Sequence, residues 1–405
     1  MSFQQGLSGL SAASRTLDVI GNNIANSGTV GAKASRVEFA DAFANAIGGS
    51  AGAVALGVTI ASVSQQFTQG DISSTSNPMD LAIDGQGFFQ VSTGGAMSYT
   101  RNGQFRLDSQ GYLVTAQGGR VQGKVVDPVT GNLSQVTGDI KTSTTTMAPK
   151  VTGQIGVGTN LDARATVPTV AFSPTDAATY NNVVSSSVYS PQGQAHTLGL
   201  FYRKTSDNTW DVYGTFDGTA LAGNPVQTMA FDPASGRLTT TPATSTITLP
   251  FPAAEGGNAT ATFDFSKTTQ FGSPFIVNEL SQNGYGPGEL AGFGVDAEGK
   301  VLARYTNGRT EVQASVLLTN FRNPQGLQAI GGNQWVETVS SGSPNQLQSP
   351  GTGILGSLRP SALEQSNVEL TGELVNMITA QRVYQANAQT IRAQDQLLQT
   401  IVNLR

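Results

Sequence analysis

Residues 370–405, LTGELVNMITAQRVYQANAQTIRAQDQLLQTIVNLR, contain no proline and repeat apolar side chains at alternating steps of four and three. The positions are Leu370, Leu374, Met377, Gln381, Tyr384, Ala388, Ile391, Asp395, Leu398, Val402 and Arg405, and eight of these eleven are apolar. Such a heptad seam predicts a helix with one apolar stripe. At about 1.5 Å per residue, 366–405 reaches roughly 60 Å, longer than a small domain is wide. Ser366 and Glu369 have capping-box spacing, with Asn367 as a rival N-cap. Met377 and Tyr384 read as packing residues of the seam, not as ligands.

The opposite end is written the same way. Phe3, Leu7, Leu10, Ser14, Leu17, Gly21 and Ile24 keep the rhythm, and Ala13 and Ile20 widen the stripe. Gly6, Gly9 and Gly21 each weaken this helix by about 1 kcal/mol relative to alanine. A helix so weakened needs a partner, either the C-terminal seam or copies of both from neighbouring subunits. All 17 prolines lie between Pro78 and Pro360, so long helices are confined to the two ends.

The middle, roughly 72–352, reads as β. Asn102-Gly103, Asn283-Gly284 and Asn307-Gly308 are tight-turn pairs. Phe105–Leu113 and Phe293–Leu302 repeat a pattern in which Asp108 or Asp296 opens a turn that Gly111 or Gly299 closes. Val126–Gly131 and Phe231–Gly236 are related. These read as hairpins of antiparallel sheets. Thr-rich 142–149 and turn-rich Asn283–Gly288 bracket a domain inserted at about 146–284. The runs Gly48–Gly52 and Gly284–Gly288 are hinge candidates, with ordinary surface loop as the equal alternative.

Composition excludes whole classes of function. Lys+Arg number 22, Asp+Glu 27, and charged residues are 12% of 405, about half the usual share. No cationic excess exists to displace counterions from phosphate, so nucleic acid is not an expected partner. With no Cys and one His, thiolate sites, Cys nucleophiles and His-cluster metal sites are excluded. No stretch approaches ~18 apolar residues, so membrane insertion by a helix is not expected. The N-terminus has neither a basic region nor a continuous apolar run, so no cleaved signal peptide is expected.

Searches for chemistry return ordinary structure. His196 sits alone in a hairpin-like run and reads as a surface or packing residue. Gly85-Gln-Gly87 follows a strand but lacks the third glycine and the helix of a dinucleotide site, so it reads as a turn. Asp80 with Asp84, and Asp296 with Glu298, are explained by turns rather than by glycoside hydrolysis. No catalytic residue, cofactor or metal is assigned, and an enzyme is not expected. A secreted β-rich carbohydrate-active protein remains a remote alternative.

Four segments carry a resemblance. Leu17–Lys33, with Asn22, Asn23, Ile24, Ala25, Asn26, Gly31 and Lys33, resembles the N-terminal signature of the bacterial flagellar axial proteins, the rod and hook family. Ala362–Ile391 resembles the matching C-terminal signature, and Met79–Phe89 and Tyr99–Phe105 are similar to that family's inner β domain. Ala32 departs from the pattern, standing where the family usually has an aromatic residue. The length and the insert resemble hook rather than rod subunits, with a distal rod subunit as the alternative.

The resemblance implies an α+β multidomain chain. A coiled-coil domain D0 would comprise 1–24 and 366–405, and a connecting segment 25–71 and 353–365. Antiparallel β domains would follow, D1 at 72–145 and 285–352 and the inserted D2 at 146–284. It also implies a self-assembling, curved, flexible tube that transmits torque outside the cell, exported by the flagellar type III apparatus. Its partners would be copies of itself, the hook cap, the distal rod, the hook-length control protein and the hook–filament junction proteins. Polymer contacts would come from Phe3, Leu7, Leu10, Leu17, Ile20 and Ile24 with Leu374, Met377, Tyr384, Ile391, Leu398 and Val402.

Overall fold

The computed structural model describes residues 2–44, 54–127 and 132–403. Gly48–Gly52, and residues 128–131 of the related turn run, lie outside them. The ends form the helices α1 (Ser2–Ala25) and α2 (Leu370–Asn403). They pack against each other, and space at two glycines permits it. A Cβ on Gly6 would lie 3.1 Å from Ile391 Cγ1, and one on Gly9 would lie 2.8 Å from Asn387 Nδ2. The propensity lost at these positions is thus exchanged for close helix approach. Neither Ser366 nor Asn367 caps α2, because the helix begins only at Leu370. Asn367 instead uses its amide to bind the chain around it.

Between α1 and the β body, residues expected to connect form a long hairpin. Strand β1 (Ser35–Ala44) pairs antiparallel with β2 (Val54–Gln65), with Ser35 opposite Gln65. The register shifts after Glu38 and after Ala42, bulges that increase local twist. α1 packs on both strands.

The chain divides into two compact units. The first holds Met1–Thr144, Gly292–Ala303 and Thr310–Arg405. Its main sheet is built around Phe88–Thr93, flanked by Arg120–Val126 and Ala96–Thr100. Adjacent Phe88 and Phe89 point to opposite faces, as strand pleating requires. Phe89 joins a core with Leu81, Ile83, Phe105 and Leu113, whereas Phe88 joins Tyr99, Phe321 and Trp335. Phe67, just past β2, packs edge-on against Phe88 at 5.4 Å and Trp335 at 5.3 Å. Asp108 opens its turn as expected, accepting bonds from the Gln110 and Tyr112 amides at 2.8 Å.

The second unit holds Thr145–Ala291 and Arg304–Arg309. Two sheets face each other across a core containing Trp210, Tyr202, Phe263 and Phe265. In Thr209–Phe216 the buried Trp210 and Val212 alternate with the half-buried Asp211 and Tyr213. One feature departs from the antiparallel expectation. Gln154–Asp162 pairs in parallel with Ala259–Asp264 and with Thr269–Phe271. Gly284–Gly288 is tied to 147–150 by backbone bridges. Tyr285 exchanges bonds with Lys150, Gly288 exchanges bonds with Met147, and Asn307 Nδ2 donates to Gly286 O at 2.9 Å.

Gly9→Leu is expected to part α1 from α2, because no volume exists for the side chain beside Asn387. Amide exchange in 5–25 and 376–395 should accelerate by about tenfold or more while 81–126 keeps its protection. Unchanged exchange in both helices would refute the close-approach argument.

Candidate functional site

The helices leave the β body through one buried charge cluster. Glu364 lies in the short strand Ala362–Glu364 and is 0% exposed. Its Oε1 accepts from Lys33 Nζ at 2.7 Å and from the Gly70 amide at 3.0 Å. Its Oε2 accepts from Arg101 Nη1 at 3.2 Å. Lys33 Nζ also donates to Thr68 O at 2.7 Å, and Arg101 Nη2 to Gly85 O at 2.9 Å. The Gly31 amide donates to the Glu364 carbonyl at 2.8 Å. Burial pushes the Lys33 ammonium below its usual pKa, against the pull of Glu364 and with a push from Arg101. Burial lowers Arg101 as well.

A second set of contacts fixes where α1 ends and α2 begins. Asn23, 3% exposed, pairs like a strand residue with Ser35, donating to its carbonyl and accepting from its amide, both at 2.9 Å. Asn26 Nδ2 donates back to Asn22 O at 2.9 Å, which closes the last turn of α1. Asn367 Oδ1 accepts from the Ala34 amide at 2.7 Å, and its Nδ2 donates to Gln66 O at 2.8 Å. Gly31 has φ of +70°, and a Cβ there would lie 2.7 Å from the Asn102 amide nitrogen. Both facts exclude any other residue.

The large apolar residues of the seams are distributed unevenly. On α1, Ile20 is buried, Leu10, Leu17 and Ile24 are half-buried, and Leu7 is exposed. Half of the residues α1 buries are small, Gly6, Ala12 and Ala13, and the others are Val19, Ile20 and Asn23. On α2, Met377 and Ile391 are half-buried, while Leu374, Tyr384 and Leu398 are exposed. Val375, Ile378, Val383 and Leu397 are exposed as well. Phe3 and Val402 lie in the helices, but their side chains are outside the described residues.

Four family models match the chain in succession. They are the Flagella basal body rod protein over 3–33, the Flagellar hook protein FlgE/F/G D1 domain over 82–160, the Flagellar basal body protein FlaE D2 domain over 160–285, and the Flagellar basal body rod FlgEFG protein C-terminal over 359–404. The flagellar hook protein FlgE of Escherichia coli K12 is 40% identical over 414 residues, covering 100% of both chains. That of Salmonella typhimurium LT2 is also 40% identical, over 421 residues with the same coverage. That of Rhizobium meliloti is 35% identical, covering 100% of this chain and 98% of its own. The chain belongs to the flagellar hook protein family.

A solved structure of the Helicobacter pylori flagellar hook protein FlgE2 shares the fold. Its TM-score is 0.55 at 14% identity, covering 72% of this chain and 100% of that one. The hook-family residues singled out near the N-terminus thus have distinct placements here. Asn23, Gly31 and Lys33 are buried anchors, Asn22 and Asn26 finish the helix, Ile24 is half-buried and Ala25 is exposed. Ala32, where an aromatic is usual, is only 4% exposed, and Lys33 still reaches Glu364.

Sequence reasoning missed Glu364 and Arg101 as anchors, because their partners lie 331 and 263 residues apart. Their local sequences, Tyr99-Thr-Arg101-Asn-Gly and Ala362-Leu-Glu364-Gln-Ser, carry no signal of burial beyond the scarcity of charge in the chain. His196 was likewise read as solitary. In the second unit its Nδ1 lies 2.6 Å from Asp217 Oδ2 and its Nε2 lies 2.7 Å from Glu255 Oε2. Phe216 stacks on its ring at 5.0 Å. Burial alone would lower the imidazole's pKa, but the bonds to Asp217 and Glu255 outweigh it and hold the group above the ordinary 6.5. The cluster is a structural clamp between a turn and a 3-10 segment. Asp80, Asp84 and Asp296 hold turns or neighbouring chain, as when Arg359 Nη2 meets Asp84 Oδ2 at 2.6 Å.

Glu364→Ala leaves two buried cations without a counter-charge. It is expected to destabilise the first unit by about 3–5 kcal/mol, read as a lower urea midpoint. A loss under about 0.5 kcal/mol would show that the cluster is not an anchor.

The clamp has a defined pH signature. Because folding raises the His196 pKa, its contribution is complete below the unfolded value and declines as pH rises through the folded one. Stability of the second unit should therefore fall as pH climbs above about 6.5. His196→Ala should flatten that slope and cost about 1–3 kcal/mol at pH 6. An unaltered pH slope in the variant would assign the dependence elsewhere.

Proposed function

We propose that this hook-family structural subunit self-assembles through its terminal helices into a curved, flexible tube that carries torque from rod to filament. The observation that carries this reading is the apolar surface that α1 and α2 leave uncovered. Leu7 is 52% exposed, Leu398 57% and Ile378 52%. A single chain gains little by forming helices with their large apolar groups turned outward. A polymer gains about 1.5–3 kcal/mol for each such side chain it fully buries, repeated in every subunit.

On this reading Phe3, Leu7, Leu10, Leu17, Ile20, Ile24, Leu374, Met377, Tyr384, Ile391, Leu398 and Val402 form the helical layer, Ile20 packing within the subunit and the exposed Leu7, Leu374, Tyr384 and Leu398 meeting other copies. The helices with 1–24 and 366–405 act as D0, the segments 25–71 and 353–365 connect, and D1 and D2 follow as the β domains. The subunit functions outside the cell, reached through the flagellar export apparatus. It meets the distal rod, the cap and length-control proteins during growth, and the junction proteins afterwards. No catalysis is part of this role.

Leu7→Asp and Leu398→Asp test it cleanly, because both side chains are exposed in the single chain and their replacement costs the monomer little. Each variant is expected to keep the wild-type melting temperature within a few degrees and to form no tubes by electron microscopy where the wild type forms curved ones. Tubes from both variants would refute assembly through these faces, and straight tubes from the wild type would favour a rod-like role.

A further inference from the structure

α1, α2 and the β1–β2 hairpin enclose a groove of about 800 Å³. Its walls are mostly apolar, including Ala13 and Ile20 of α1, Val37 of β1, and Ala380 and Val383 of α2. Along α2 it runs from Glu373 to Asn387, about 21 Å at the helical rise. One end carries an unresolved charge. Glu373 Oε2 is buried and has no hydrogen-bond partner, while Oε1 holds only a long contact of 3.4 Å with Asn23 Nδ2. A carboxylate oxygen so placed is costly until a cation or donor reaches it.

The same helix carries the complementary feature on another face. Val375, Ile378 and Arg382 fall at steps of three and four, making one ridge. Val375 is 63% exposed and Ile378 52%. Arg382 is exposed, and no ion pair involves it among the described residues. At 100° per residue the ridge lies more than a third of a turn from the groove. One chain therefore cannot fold its ridge into its own groove. A ridge on one copy and a groove on the next make a heterologous contact, which continues from copy to copy into a ring or a filament.

We propose that the groove receives the α2 ridge of a second copy of this chain running antiparallel to the first, Val375 and Ile378 lying along the half of its apolar length next to Glu373 and Arg382 pairing with the Glu373 carboxylate. This rests on the assembly reading above and specifies its register. The apolar walls supply attraction, and the ion pair selects one axial position among the several that a uniform apolar stripe would allow.

Charge exchange in the full-length protein tests the proposal. Glu373→Arg and Arg382→Glu are each expected to raise the critical concentration for tube formation by at least about tenfold, because like charges then face each other. The double variant should return close to wild type. Arg392→Glu, outside the ridge, should assemble normally. A second measurement uses the absence of cysteine from the chain. Glu373→Cys with Arg382→Cys places two thiols nine residues apart on one helix, about 13 Å, too far for a bond within a subunit. Oxidised tubes should give a ladder of covalent oligomers on non-reducing gels.

Wild-type tubes together with unaffected single variants, or a double variant no better than the worse single, would overturn the proposal. So would tubes of the cysteine variant that yield no ladder. A wild-type chain that forms no tubes would overturn the assembly reading and this register with it.

Discussion

One carboxylate, Glu364, organises the junction between the helices and the β body. It is surrounded by groups from residues 31–33, 68–70 and 101, which no local element would bring together. Desolvating three charges is unfavourable by itself, and an apolar cluster of equal volume would serve stability as well or better. What the charged cluster adds is geometry. Lys33 follows α1 by a few residues, and Glu364 precedes α2 by a few. Pairing them fixes where both helices leave the body, and the Gly31 amide bond to the Glu364 carbonyl fixes the backbone beside that pair. Arg101 brings in the inner sheet and also lies 5.4 Å over the Phe88 ring. The asparagines at 23 and 367 extend the same constraint to β1 and β2.

Beyond that junction the helices follow a rule opposite to a globular core. Small residues share the inward face with Val19 and Ile20, and several of the largest apolar residues are left outside. Gly6 and Gly9 let α2 approach closely, so the pair holds together over a narrow contact. Leu7, Leu374, Ile378 and Leu398 each keep about half their surface exposed in the single chain. For a soluble monomer this distribution wastes hydrophobic energy. For a subunit whose stable state is a polymer it stores that energy in the faces that meet other copies. The β units need no such help, since each buries large aromatic residues of its own.

The sequence disclosed the elements governed by local periodicity or local turn chemistry. The two helices were legible in the 4,3 spacing and the proline boundary, and the Asp108 turn in its Asp-to-Gly interval. The β1–β2 hairpin was not, because Ala, Gly and Ser dilute its alternation, although Val37 and Phe39 do keep a period of two with polar neighbours. Asn367 had the right spacing for a cap and was claimed instead by the Ala34 and Gln66 backbone. The partners of His196 lie 21 and 59 residues away, and those of Glu364 hundreds away. No window along the chain contains both members of such pairs. The parallel pairing of Gln154–Asp162 is hidden for the same reason: strand direction depends on which distant segment arrives beside it. Motif resemblance covered part of this gap by marking Lys33 and Gly31, without disclosing what they touch.

Scarcity of charge connects these observations to mechanical use. A tube that bends must let neighbouring faces shift while remaining bound. Ion pairs resist this, because separating buried charges is expensive and their geometry is demanding. Apolar contact is non-directional, and a Gln, Asn or Thr can exchange one hydrogen-bond partner for another at small cost. α2 fits that requirement, since its exposed apolar groups are interspersed with Gln, Asn and Thr and carry few charges. Two carboxylates with buried oxygens lie where motion would be harmful. Glu364 fixes the helices to the body that carries them, and Glu373, on the register proposed above, fixes one copy against the next at a single point. The remaining length of helix stays free to adjust around that point, which lets one sequence be both cohesive and compliant.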